Sequence, residues 1–259
     1  MNIIVCVKQV PDTTAEKRIG ADQRLDRASV ENILNPFDEY ALEEAVQIKE
    51  RQGADVTVLC MGPRAAESAL RKALSMGADN AVLVTDPALA GSDSLGTAYV
   101  LAMAIKQMPF DLVLTGMQST DARTGHVPAA IAAFLDIPAL TLAGKLELTA
   151  VAARIERQAD GGVIVLEGAL PALVSVIKGI NEPRYPGVKG IMMAKRKEIK
   201  TLSAAALGLD MALTGAGGAH TKVLAASKPA PRTKGIIIKD DPDTAAHKLA
   251  DYLADIKVI

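Results

Sequence analysis

Ile3-Ile4-Val5-Cys6-Val7 is apolar at every position and has the length of one strand. Val56-Thr57-Val58-Leu59-Cys60, Ala81-Val82-Leu83-Val84 and Leu112-Val113-Leu114 repeat the pattern. Strands that lack hydrophobic alternation are covered on both faces, as in a parallel sheet sandwiched by helices. The stretches between them have a helical period. Residues 38–50 put Ala41, Leu42, Ala45 and Val46 on one side and charges on the other. Residues 64–76 do the same with Ala66, Ala69, Leu70, Ala73 and Leu74, and Gly77 is the expected stop. Residues 95–108 carry Leu95, Ala98, Tyr99, Ala102 and Ile105. This β-α-β-α order predicts an α/β fold with a doubly wound, mostly parallel sheet.

From about Ala139 the pattern changes. Gly144-Lys145-Leu146-Glu147-Leu148 and residues 152–156, 163–166 and 172–176 read as strands with no helix between them. Asp160-Gly161-Gly162 is a hairpin signal, so the sheet is expected to gain an antiparallel extension. Beyond Lys178, residues 181–190 are rich in Pro, Gly and charge, and Lys195-Arg196-Lys197 follows. Residues 215–220 form a flexible Gly-Ala stretch, residues 228–234 hold Pro229 and Pro231, and residues 244–253 read as a short helix. A tail with so little core of its own either wraps over another body or is a partly disordered terminus.

Composition removes several function classes. The 259 residues carry a formal net charge of −1, which argues against a nucleic-acid binder that must displace counterions. Aromatic residues make up 3% with no Trp, too few for a base-stacking platform. Neither of the two cysteines lies in a C-x-x-C pair, so zinc ribbons and four-cysteine iron–sulfur clusters are not expected. No apolar run reaches membrane-spanning length and no secretory leader pattern follows Met1, which leads to the expectation of a cytoplasmic protein without membrane insertion. There is no G-x-S-x-G, H-E-x-x-H, P-loop or G-x-G-x-x-G, and the three histidines are widely spaced. Covalent catalysis and a metal site are therefore not expected.

Open α/β sheets bind ligands beyond the carboxyl ends of their strands, where strand order reverses. Four segments qualify. Cys6-Val7-Lys8-Gln9-Val10-Pro11-Asp12 leaves the first strand, and Cys60-Met61-Gly62-Pro63 leaves the second. Asn35-Pro36-Phe37-Asp38 suits a helix start, with Asn35 as N-cap and Pro36 in the first turn. The fourth is Thr115-Gly116-Met117-Gln118-Ser119-Thr120-Asp121-Ala122-Arg123-Thr124-Gly125-His126-Val127-Pro128. It joins a strand exit to a helix N-terminus, whose free amides attract phosphate. Each also has a plain reading: a turn at Gly62-Pro63, solvated side chains at Arg123 and His126, and core thiols at Cys6 and Cys60. Periodicity alone supports a mononucleotide-sized site and no particular nucleotide.

Asn181-Glu182-Pro183-Arg184-Tyr185-Pro186, running into Gly190-Ile191-Met192-Met193-Ala194-Lys195-Arg196-Lys197, closely resembles the signature of the electron transfer flavoprotein beta subunit. Val7-Lys8-Gln9-Val10-Pro11-Asp12, Asn35-Pro36-Phe37-Asp38-Glu39, Ala73-Leu74-Ser75-Met76-Gly77-Ala78-Asp79 and Phe134-Leu135-Asp136-Ile137-Pro138 support it over residues 1–200. The resemblance implies an electron-carrier subunit rather than an enzyme. It implies pairing with an alpha subunit that holds most of a FAD, electrons collected from acyl-CoA and other dehydrogenases, and delivery to a membrane-bound quinone oxidoreductase. It further implies a structural AMP lined by Cys6, residues 35–38, Met61 and residues 116–127, the same strand exits singled out above. Phe37 matches the family's aromatic flavin contact, whereas Thr13 stands where Tyr is frequent. Gly125-His126-Val127 replaces a frequent Asn-Gln-Thr, and Gln158 replaces an acidic residue after Arg157. The partner-recognition stretch resembles Tyr185 to Lys197, with Val188 in place of leucine and Ile191, Met192 and Lys195 beside it. Residues 1–180 are thus expected to be the nucleotide-binding domain. Residues 181–259 are expected to be the recognition loop and an arm around the alpha subunit. Two alternatives stay open: a bifurcating relative with a second FAD in place of AMP, and a stand-alone adenine-nucleotide-binding domain. Gly91-Ser92-Asp93-Ser94-Leu95-Gly96-Thr97 is similar to a segment of bifurcating members, but Ser92 or Asp93 also suits the N-cap of the following helix.

Overall fold

A computed structural model describes residues 1–227, 230 and 235–259; Pro229 and Pro231 of the proline-bearing stretch lie outside the described residues. The chain divides into two compact units, Met1–Leu224 and Ala225–Ile259. In order, the first unit contains β1 (Asn2–Cys6), β2 (Gln9–Pro11), β3 (Asn32–Leu34), α1 (Pro36–Gln52), β4 (Asp55–Met61), α2 (Glu67–Met76) and β5 (Asn80–Val84). It continues with α3 (Ser94–Ile105), β6 (Leu112–Gly116), α4 (Val127–Leu135), β7 (Ala139–Leu148), β8 (Ala152–Ala159) and β9 (Gly162–Ala169). β10 (Ala172–Val176), α5 (Val188–Arg196), β11 (Ile199–Leu202) and α6 (Gly215–Gly218) complete it. The second unit holds α7 (Pro242–Asp255).

The main sheet has nine strands in the order β11-β5-β4-β1-β6-β10-β7-β8-β9. β1 pairs in parallel with β4 on one side and β6 on the other. The chain builds outward from β1 through β4 to β5, then returns across β1 to β6. Strand order therefore reverses between β1 and β6. α1 and α2 cover one face, burying Ala41, Leu42, Leu70 and Leu74 against Ile3, Val5, Leu112 and Leu114. α3 and α4 cover the other, burying Val100, Leu101 and Ile131 against Ile4, Cys6 and Val113. Every residue of β6 is buried, as its unbroken apolar run requires.

The antiparallel extension exists in β7, β8 and β9, joined by the Asp160-Gly161 turn. β10 departs from the expectation. It lies between β6 and β7 and runs parallel to both. Its five residues are all buried, the burial pattern of β6, which belongs inside a two-sided sheet. The chain beyond Lys178 also holds more regular structure than its composition suggests. α5 forms across Gly190, β11 pairs in parallel with β5, and the Gly-Ala stretch contains the short α6. Ala194, Leu202, Ala204 and Leu207 are buried in the two core clusters. α7, expected over residues 244–253, spans Pro242–Asp255 with Asp241 accepting from the Thr244 amide, and no residue of it is buried. Among the described residues, no helix is long and apolar enough to cross a membrane.

Candidate functional site: a polar crevice at the β1/β6 reversal

β1, β4 and β6 release their loops at one edge of the sheet, so Cys6, Met61 and Gly116 end neighbouring strands there. α1 begins at the same edge. Asn35 was expected to cap it, but its side chain makes no capping bond. It reaches across to the long loop instead. Its Nδ2 donates to the Gln118 carbonyl at 2.9 Å, and its Oδ1 accepts from the Thr120 amide at 3.2 Å. Only 1% of Asn35 is exposed, so this amide is a buried tie between two of the four candidate segments.

Gly116 shows how tightly they meet. A Cβ there would lie 2.5 Å from Asp38 Oδ1 and 2.6 Å from the Phe37 carbonyl carbon. No residue with a side chain fits without moving the start of α1. The Asp38 carboxylate is buried and accepts from the Lys8 amide at 2.8 Å through Oδ2. Burial pushes its pKa up to about 7, against the lowering effect of hydrogen bonds from Asn35, Lys8 and Gly116. Burial also raises the Cys6 thiol and brings Cys60 to about 12, so both are protonated core groups.

Asp121 is the second buried carboxylate. Its side chain is 1% exposed and sits between two cations, Lys8 Nζ at 2.8 Å and the Arg27 guanidinium. Lys8 Nζ also donates to Ser119 Oγ at 3.3 Å. Desolvation would raise the Asp121 pKa, but the Lys8 charge, then hydrogen bonds from Lys8, Arg27 and Ser119, hold it well below the usual carboxylate range. Arg27 belongs to residues 12–31, a strap between β2 and β3 whose Lys17 also reaches the Thr120 carbonyl at 3.5 Å. No local pattern marks Arg27, because its partner lies 94 positions away.

Around this framework, Met117, Gln118, Ser119 and Thr120 are half-buried, whereas Ala122, Arg123, Thr124, Gly125 and His126 are exposed at the rim. His126 precedes α4 and makes no side-chain capping bond, which leaves the Val127 and Ala129 amides uncapped; Pro128 between them has no N–H, and the Ala130 amide bonds the His126 carbonyl. Its Nε2 lies 2.5 Å from Ser94 Oγ and its Nδ1 3.1 Å from the Thr124 carbonyl. This joins the starts of α3 and α4. No carboxylate orients the ring, so the pair lacks the third member of a nucleophile triad. Thr115, one residue before Gly116, has a buried Oγ1 with no hydrogen-bond partner. It faces the α3/α4 side, as Cys6 does. Among the described residues, no group of three or more His, Cys, Asp or Glu is placed to hold a metal. Asp93 caps α3 by accepting from the Gly96 amide at 2.9 Å, which explains the Gly-Ser-Asp segment by local structure. Its other oxygen takes the His220 and Thr221 amides.

The stretch expected to recognise partners packs against α1, and Pro183, Arg184 and Tyr185 line one depression with Pro36 and Tyr40. Arg184 donates to Glu43 through Nε at 2.9 Å and Nη2 at 3.0 Å, and to Glu50. Asn181 Nδ2 bonds the Tyr40 carbonyl and Glu44, both at 3.1 Å. These contacts pin the residues before α5 to α1. Although Glu43's burial acts to raise its pKa, Arg184 holds it below the usual range. Tyr185 is 94% and Val188 76% exposed, and Ile191, Met192 and Lys195 are also exposed. An apolar surface of this kind calls for a protein partner.

Residues 23–207 match the sequence profile described as the Electron transfer flavoprotein domain. The chain belongs to the electron transfer flavoprotein family. An electron transfer flavoprotein subunit beta of Megasphaera elsdenii is 41% identical over 251 residues, covering 94% of this chain and 93% of that protein. One from Mycobacterium tuberculosis strain H37Rv is 42% identical over 265 residues, covering 100% and 99%. Protein FixA of Azotobacter vinelandii is 39% identical over 259 residues, covering 97% and 92%. The likeness runs the length of the chain, so this flavoprotein family member stands with the beta subunits. Its general role is electron transport with a flavin.

Proposed function

We propose that this chain is the beta subunit of a housekeeping electron transfer flavoprotein. It pairs with an alpha subunit, takes electrons from acyl-CoA and other dehydrogenases, and passes them to a quinone oxidoreductase. In this reading it holds a structural AMP and helps enclose a FAD bound mainly by the alpha subunit. The observation that carries the nucleotide part is the crevice at the β1/β6 reversal. There, on the α3/α4 side of the sheet, the unpartnered Thr115 hydroxyl lies one residue from the end of β6, and α4 begins without a side-chain cap. These groups fit a phosphate and a polar nucleoside without a side-chain charge. The start of α1 and the loop after β6, locked together through Asn35, would hold the ribose and base, and Phe37 would lie against the flavin. The flavin supplies the redox chemistry. Residues of this chain position it, exclude water and present the complex to its partners. α7 has Leu249 and Tyr252 exposed, with Ile256 exposed just beyond its end, which suits an arm that packs on the alpha subunit.

The test is to co-express the chain with its alpha subunit, purify the complex and identify the released nucleotides by mass spectrometry. One FAD and one AMP per heterodimer is expected. Two FAD and no AMP would overturn the structural-AMP reading and make the crevice part of a bifurcating redox site. A stable homodimer that binds adenine nucleotide and ignores the alpha subunit would overturn the carrier reading altogether.

A further inference from the structure

α5 has nine residues, too short to persist by itself in water. Its apolar side chains Val188, Ile191, Met192 and Met193 are exposed, so that face does not hold it in place. What holds it is on the opposite side, where only Ala194 is buried. A Cβ on Gly190 would lie 2.5 Å from the Ser75 carbonyl oxygen, so the helix backbone rests directly on the end of α2. At the other end, Arg71 of α2 donates from Nη1 to the Ala194 carbonyl at 2.7 Å and also to the Lys197 carbonyl. Lys197 Nζ reaches back to the Ala78 carbonyl at 2.7 Å. The last carbonyls of a helix have no partner within it and carry the negative end of its dipole. A guanidinium on them fixes both the position and the rotation of α5. Arg71 bonds α5 through backbone carbonyls and not through the exposed apolar side chains.

We propose that Arg71 is the positioning residue of the docking helix: through the Ala194 and Lys197 carbonyls it sets the pose in which α5 presents its apolar face to the electron donor. This rests on the reading of α5 as the dehydrogenase-docking element. The occupant of that face is an apolar pocket with an acidic rim on a flavin dehydrogenase, because Lys189, Lys195 and Arg196 surround the exposed Val188, Ile191 and Met192. A helix already held in its bound pose spares the ordering cost of docking, so Arg71 acts on affinity and not on the electron step.

The test uses the heterodimer and an acyl-CoA dehydrogenase that reduces the wild type saturably. Arg71→Ala is expected to raise the half-saturating heterodimer concentration about tenfold, with maximal rate and FAD content unchanged. Arg71→Lys keeps a cation with N–H donors but lacks the planar head that aims Nη1 at both carbonyls, and should raise it about threefold. Hydrogen exchange over residues 191–197 should quicken in Arg71→Ala while the crevice stays protected. Faster exchange with unchanged half-saturation would overturn the proposal. Val188→Asp separates the two layers. If it raises half-saturation while the Arg71 variants do not, only the positioning role fails. If Val188→Asp has no effect either, the docking reading of α5 is wrong. Should Arg71→Ala fail to assemble, Arg71→Lys decides, and wild-type half-saturation in it would overturn the proposal.

Discussion

The crevice and α5 solve opposite problems. At the β1/β6 edge the chain buries charge: Asp38 and Asp121 are both nearly sealed from water. At α5 it exposes hydrocarbon: Met192 is 56% exposed and Val188 more. Buried polar groups make a rigid frame that suits a small polar ligand, because each must keep its partner or lose its desolvation energy uncompensated. Exposed apolar groups on a helix held by its backbone suit a large partner that comes and goes. In the proposed function, one region retains a ligand and the other meets a partner.

Two glycine-to-alanine variants sharpen that contrast most. Gly116→Ala drives a Cβ into the backbone of Phe37, so the start of α1 or the end of β6 must move. A cost of about 3 kcal/mol is expected, a fall in Tm of roughly 10 °C, and bound nucleotide should be lost with it. Gly190→Ala forces a contact of the same closeness against Ser75, but on a surface helix that can lift. About 1 kcal/mol is expected there, with nucleotide content kept. Equal losses of nucleotide in the two variants would show that crevice and docking helix are one cooperative body.

Asp38 provides the next largest effect, read through pH. Its folded pKa of about 7 lies above the ordinary value of 3.8. A carboxyl raised by folding favours the native state below its unfolded pKa, and that advantage disappears as pH rises through the folded one. Wild-type stability from this source should therefore fall by about 2 kcal/mol between pH 5 and pH 8. Asp38→Asn cannot titrate but keeps an acceptor for the Lys8 amide, so its urea midpoint should change less over the same range. Parallel pH profiles for the two proteins would mean that Asp38 is charged throughout, and the crevice more hydrated than its burial indicates.

The sequence made the sheet and the site segments legible for the same reason. Strands covered on both faces leave unbroken apolar runs, and ligand loops must follow their carboxyl ends, so Cys6, Met61 and Gly116 could be singled out from local pattern. What stayed hidden depends on distant partners. Asn35 reads as an N-cap because Asn-Pro is a good helix start, and only the fold shows its amide spent on the 118–120 loop. Arg27 sits in an aperiodic polar strap and gains meaning only from Asp121. β10 carries the apolar run of a central strand, but its position just after a hairpin suggested that it continued the meander. α5 was masked by Gly187 and Gly190. The second of these is a close-approach residue and not a breaker. Backbone proximity between elements far apart in the chain leaves no trace in local periodicity.

His126→Ala is the smallest expected effect and tests how the crevice binds. If phosphate rests on the open amides at the start of α4, the imidazole is a neighbour and not a ligand. The ring is exposed and already engaged with Ser94 Oγ and the Thr124 carbonyl, while the Val127 and Ala129 amides belong to the backbone and survive the substitution. Nucleotide content should then change by less than about twofold. The lost Ser94 contact should loosen the join between the α3 and α4 starts, seen as faster hydrogen exchange there. A large loss of nucleotide would make His126 a direct ligand. The crevice would then depend on a side chain at its rim and not on backbone amides alone.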